Sequence, residues 1–67
     1  IFQEINRIKT VLQSKDNISF KELTVDYKDL IDIVVSFLSI LELYKNETID
    51  IEQFEIFGEI IIKKIAA

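Results

Sequence analysis

The 67-residue sequence predicts an α+β fold in which three helices are followed by a two-stranded β-hairpin. Three patterns carry that reading. Apolar residues recur at helical spacing over residues 1–15, and again over a longer stretch from Asp26 to Lys45. After Thr48 the apolar residues alternate with polar ones, as in a half-buried strand.

In the first segment Ile1, Ile5, Ile8, Val11 and Leu12 share one side of a helix, with Gln3, Glu4, Arg7 and Lys9 opposite. Ser14-Lys15-Asp16-Asn17 breaks the pattern with turn-forming residues. Ser19-Phe20-Lys21-Glu22 reads as a capping box: the serine hydroxyl accepts from the backbone N–H three residues on, and the glutamate reaches back. A short second helix therefore starts at Ser19 and ends by Thr24 or Val25, and Ile18 just before it suits a very short strand. Asp26 is expected to open the third helix, its acidic first turn matching the positive end of the helix dipole. Asn46-Glu47 makes a turn, Thr48 to Gln53 a strand, Phe54 to Gly58 a connection, and Glu59 to Lys63 the returning strand. Three helices followed by a hairpin, joined by short loops, is the winged-helix arrangement, here as a single domain over residues 1–67. The chain begins at Ile1 rather than methionine, so it is expected to be a fragment of a larger protein.

Composition narrows the function classes. There is no cysteine and no histidine, which removes disulfides, the commonest metal ligand and the commonest general base. Without histidine the serines have no base to activate them, and a single glycine, Gly58, rules out a glycine-rich phosphate loop. Asp26, Asp29 and Asp32 are spaced to hold a hard cation, but a helix N-terminus attracts carboxylates anyway. Neither catalysis nor a cofactor is expected. A net charge of −4 disfavours nucleic acid, whose non-specific affinity comes from lysine and arginine, and equally an anionic membrane. No apolar run approaches the roughly 20 residues needed to span a bilayer.

Hydrophobic residues nonetheless make up 49% of the chain. A domain this short buries only about 60% of the surface its unfolded form exposes. Some apolar surface should therefore lie outside and mark a contact with another protein. The third helix is the natural place to look. At roughly 100° per residue, Leu30, Ile33, Val34, Phe37, Leu38, Ile40, Leu41 and Tyr44 fill one broad face, which this reading assigns mainly to the core. Ile31 and Val35 widen the arc to about 220°, against the usual stripe of about 100°, and are left over for a partner. Asp29, Asp32, Ser36 and Ser39 are expected to face outward, where aspartates would repel a phosphate-lined groove. The hairpin is a second candidate, because its free edges can add a partner's strand. Phe54, Phe57 and Ile61 are the apolar side chains around that edge, although Phe57 also suits a cap on the core and Lys63 and Lys64 suit charge protection of the edge.

The run Ile33 to Leu43, ending Leu41-Glu42-Leu43, followed by Ile51-Glu52-Gln53 and then Phe57-Gly58-Glu59-Ile60, resembles the C-terminal part of the segregation and condensation protein A family, the bacterial kleisins. The likeness covers residues 18–64 and is weaker over the first helix. It implies a role and no reaction: a winged-helix domain that docks on the ATPase head of an SMC protein and helps to close a ring that organises the chromosome. It also implies a kite-type subunit dimer as a further partner of the full-length protein, no direct contact with nucleic acid, and a cytoplasmic, nucleoid-associated location. Carried onto this sequence, the head contact would be formed by the wing (Phe57, Glu59, Ile61) and the outward side of the third helix, with Ser36 and Ser39 permitting close approach. The partner-binding residues expected are thus Ile31, Val35, Ser39, Phe54, Phe57, Glu59 and Ile61. The alternative is an interaction or dimerisation module of another complex.

Overall fold

The computed structural model describes residues 1–55 and 58–65. In chain order these form α1 (Phe2–Ser14), β1 (Asn17–Ser19), α2 (Phe20–Leu23), α3 (Leu30–Lys45), β2 (Ile49–Phe54) and β3 (Ile60–Lys64). The fold is α+β, with three helices and a three-stranded antiparallel sheet in the order β1-β3-β2.

The sheet departs from the expected two-stranded hairpin. Ile18 lies opposite Ile62 and Asn17 opposite Lys63, so the short segment before α2 pairs along β3. The hairpin's own pairing places Ile51 opposite Ile62 and Phe54 opposite Ile60, with a bulge between Ile51 and Gln53. Strand β3 is therefore central. A lone hairpin is marginal in water, and a third strand is the cheapest way to satisfy one of its edges.

Every element contributes to one core: Ile8 and Leu12 from α1, Ile18 from β1, Leu23 from α2, Ile40 and Leu43 from α3, Ile49 from β2 and Ile62 from β3. Phe20 packs against it and meets Phe37 edge-on, with ring centroids 6.1 Å apart. The start of α2 follows the capping chemistry read from the sequence, since the Ser19 hydroxyl accepts from the Glu22 N–H at 3.1 Å. The reciprocal half differs. The Glu22 carboxylate accepts from the Ser19 hydroxyl and from Lys15 Nζ, each at 3.3 Å.

Helix α3 begins later than expected. Asp29 occupies the N-cap position, and residues 26–29 form turn and connection rather than a first helical turn. At the other end Glu47 takes a left-handed conformation (φ 58°), and the Thr48 N–H donates to the Leu43 carbonyl at 3.0 Å. That bond closes a Schellman-type cap on a residue other than glycine.

Candidate functional site: the outward face of α3

The largest correction concerns which way α3 faces. Ser36 and Ser39, expected outside, are both 0% exposed, whereas Leu38, expected in the core, is 48% exposed. With roughly 100° per residue, the buried side centres between Ser36, Ser39, Ile40 and Leu43, so the helix is rolled about a third of a turn from the leucine-rich face. Side-chain bulk explains the roll. α3 packs chiefly on α1, and short serine side chains let two backbones approach closely, whereas the leucine face has more volume than so small an interior holds. Burial of the hydroxyls is tolerated because one finds a local acceptor: Ser39 Oγ donates to the Val35 carbonyl at 2.7 Å.

The side turned away from the core is consequently apolar from Leu30 to Leu41. Leu30 (74% exposed), Ile31 (66%), Val34, Leu38, Leu41 and Tyr44 form a continuous stripe at i, i+4, i+8 and i, i+3, i+7 spacing. No other described element covers it. A single exposed leucine is ordinary, but a contiguous row is the usual mark of a binding surface. In its central span the stripe carries no charged side chain, with Glu42 and Lys45 only at its C-terminal end. Such a surface offers a duplex nothing to pair with.

The side chains proposed from the sequence separate accordingly. Ile31 lies on the stripe. Val35 is half-buried and turned the other way, into a cleft of about 350 Å³ that it lines with Ile1, Gln3, Glu4, Arg7, Tyr27 and Asp32. Ser39 is sealed inside and touches no surface. On the sheet, Phe54 and Glu59 are exposed, the Glu59 carbonyl accepting from the Glu55 N–H, while Ile61 is half-buried on a strand paired on both sides. Strand addition beside Ile61 is therefore closed, because β1 already occupies that edge. Phe57 lies outside the described residues.

The free edge of β2 is also guarded. The Ile51 N–H is taken by the Asp50 carboxylate at 2.8 Å, and the bulge at Gln53 interrupts the row of backbone groups. Bulges and edge charges are common devices against unwanted strand pairing. Asp26, Asp29 and Asp32 do not gather into a cation site: among the described residues no group of three or more acidic side chains is placed to hold a metal. No helix among the described residues is long and apolar enough to cross a membrane.

Sequence reasoning missed a buried polar cluster behind the stripe. The Glu4 carboxylate, in a residue only 8% exposed, receives Arg7 Nε at 2.7 Å, Arg7 Nη2 at 2.8 Å and the Tyr27 hydroxyl at 2.7 Å. Arg7 Nη2 also donates to the Leu23 carbonyl at 2.8 Å, and the guanidinium lies 4.8 Å from the centre of the Tyr27 ring. The paired hydrogen bonds from Arg7 hold the Glu4 pKa down at about 2 from an ordinary 4.5; the Tyr27 hydroxyl and the Arg7 charge add to the effect, and burial opposes it. The Ser36 hydroxyl, also buried, completes no hydrogen bond. Arg7 is pushed up by the same pairing, and the Tyr27 pKa is raised first by desolvation and then by its bond to Glu4. A carboxylate so strongly held is a poor general base. The i, i+3 spacing of Glu4 and Arg7 was the one visible signal, and it reads equally well as a solvated pair.

Fold and surface together define a small α+β protein built around one helix whose inner side makes the core and whose outer side is uncovered and apolar. The family model described as Segregation and condensation protein ScpA matches residues 2–65, and the chain belongs to that family. Segregation and condensation protein A from Clostridium perfringens strain ATCC 13124 is 34% identical over 65 residues, covering 97% of this chain and 26% of the relative. The proteins of that name from strains 13 and SM101 match to the same extent. The chain thus spans about a quarter of the length of these relatives.

Proposed function

We propose that this chain is the C-terminal winged-helix domain of a bacterial kleisin, a single non-catalytic module of a larger protein that docks on the ATPase head of an SMC protein through the outer face of α3. In that role it helps to close the ring of a condensin-like complex for chromosome condensation and segregation in the cytoplasm. The full-length protein would also engage a kite-type subunit dimer through segments other than this one.

The observation that carries the reading is the stripe Leu30–Ile31–Val34–Leu38–Leu41–Tyr44, left uncovered in a chain that belongs to this family. At 1.5 Å per residue, the 16 residues of α3 extend about 24 Å, enough for the apolar centre of a standard protein–protein interface. A helix face laid into an apolar groove is a recurrent docking mode, and here it is favoured over strand addition because β3 is paired on both sides and the β2 edge is capped and bulged. The absence of histidine and cysteine agrees with a role that needs no chemistry.

Titration calorimetry of the chain against a purified SMC head tests this directly. Leu38→Glu is expected to weaken binding at least ~30-fold, as loss of a central contact does, with the circular dichroism spectrum unchanged because Leu38 stands outside the core. Parent-like binding by Leu38→Glu, or no binding by the parent chain, would refute the proposal. A symmetric dimer at micromolar concentration, broken by the same substitution, would instead assign the stripe to a second copy of the chain.

A further inference from the structure

The first turn of α3 carries the two most exposed side chains of the stripe, Leu30 and Ile31, and is closed by backbone bonds from the Asp32 and Ile33 N–H groups to the Asp29 carbonyl, at 3.1 and 3.4 Å, rather than by side-chain packing. Asp29, its N-cap residue, makes no side-chain hydrogen bond to the helix. None of Leu30, Ile31 and Asp32 is buried, so packing does not anchor the turn, and the preceding Val25, Asp26, Lys28 and Asp29 are exposed as well. What ties this stretch to the body of the domain is the cluster on α1. Arg7 grips the Leu23 carbonyl at the end of α2, and Tyr27, two residues before the N-cap, is bonded through its hydroxyl to Glu4 and stacked under Arg7. Glu4 and Arg7 are themselves fixed to each other by two short bonds on a helix that contributes to the core.

Resting on the docking role proposed above, we propose that Tyr27, held by Glu4 and Arg7, is a positioning residue for the N-terminal end of the docking face, presetting Leu30 and Ile31 in the orientation the partner requires. Tyr27 itself lies on the cleft side and lines it with Val35, away from the stripe, so it acts through the turn it anchors rather than by contact. Ordering a loop before association spares the cost of ordering it during association, and the benefit appears as affinity.

The test uses Tyr27→Phe, which keeps the ring over Arg7 and removes only the bond to Glu4. In the chain alone, amide hydrogen exchange at Asp32 and Ile33, whose N–H groups donate to the Asp29 carbonyl, is expected to accelerate about 10- to 100-fold, the effect of losing one hydrogen bond to a charged group, while exchange in β3 stays unchanged. Against the SMC head, Tyr27→Phe is expected to weaken binding by a similar factor. A double-mutant cycle separates positioning from general destabilisation: the effect of Tyr27→Phe should largely vanish in an Ile31→Ala background and persist in full with Leu41→Ala, at the far end of the stripe. Equal additivity with both, or unchanged exchange at Asp32 and Ile33, overturns the inference. If Leu38→Glu abolishes binding while Tyr27→Phe changes neither readout, the docking role stands and only the positioning role falls. Accelerated exchange at Asp32 and Ile33 with no binding by the parent chain would leave the anchored turn standing and remove its purpose.

Discussion

Replacing Glu4 by glutamine removes one charge from the only short-range ion pair buried on one side among the described residues, and its consequence can be worked out from the geometry. Glu4 is ionised far below its ordinary range, with a pKa lowered from 4.5 to about 2, chiefly by the paired bonds from Arg7. Each tenfold change in proton affinity corresponds to about 1.4 kcal/mol, so the folded state favours the ionised carboxylate by about 3 kcal/mol. A folded pKa below the unfolded one means that this stability is fully present above about pH 4.5. It is lost progressively as the pH falls from 4.5 toward 2. A domain of this length has a total stability of about 3–10 kcal/mol, so one such group weighs heavily. Glu4→Gln keeps the shape and one acceptor but loses the charge, and is expected to cost about 2–3 kcal/mol at pH 7, with a fall in Tm of about 10–20 °C. Urea unfolding followed by circular dichroism at pH 7, 4 and 2.5 measures both effects. The parent should lose stability steeply between the last two pH values, and the variant should show a shallower slope. A variant within about 0.5 kcal/mol of the parent at pH 7, or one with the same acid slope, would refute the assignment of Glu4 as an ionised buried anchor.

Five further substitutions test the packing and the end of α3. Leu38→Ala is expected to change stability by less than about 0.5 kcal/mol, whereas Ile40→Ala, two positions on and almost wholly buried, should cost about 2–5 kcal/mol; denaturant midpoints in the reverse order would show that α3 faces the other way. Ser36→Ala removes a buried hydroxyl that has no hydrogen-bond partner and should be neutral or slightly stabilising, while Ser36→Leu should cost about 1–3 kcal/mol by forcing α1 and α3 apart. Glu47→Gly relieves a left-handed backbone conformation at the end of α3 and is expected to add about 0.5–1 kcal/mol, read as a rise in Tm.

Much of the architecture is local and was legible along the chain. Alternation after Thr48, the capping box at Ser19 and the apolar spacing of Ile5, Ile8 and Leu12 each depend on neighbours a few residues apart, and the elements appear where those signals lie. The polar cluster was not legible. Glu4 and Tyr27 are 23 residues apart, and nothing about either residue alone announces the other.

Composition and local pattern by themselves determined that this is an α+β chain rich in apolar residues, without histidine or cysteine and with a net charge of −4. Tertiary structure alone decided which apolar surface stays outside. A helix whose apolar arc spans about 220° has no single preferred side, so periodicity points weakly, and the choice passes to the closeness of packing with α1. Ser36 and Ser39 are buried, while Leu38 and Leu41 of the same helix stand exposed. The same choice turns Leu30, Val34, Leu38 and Leu41 to the solvent and leaves them for a partner.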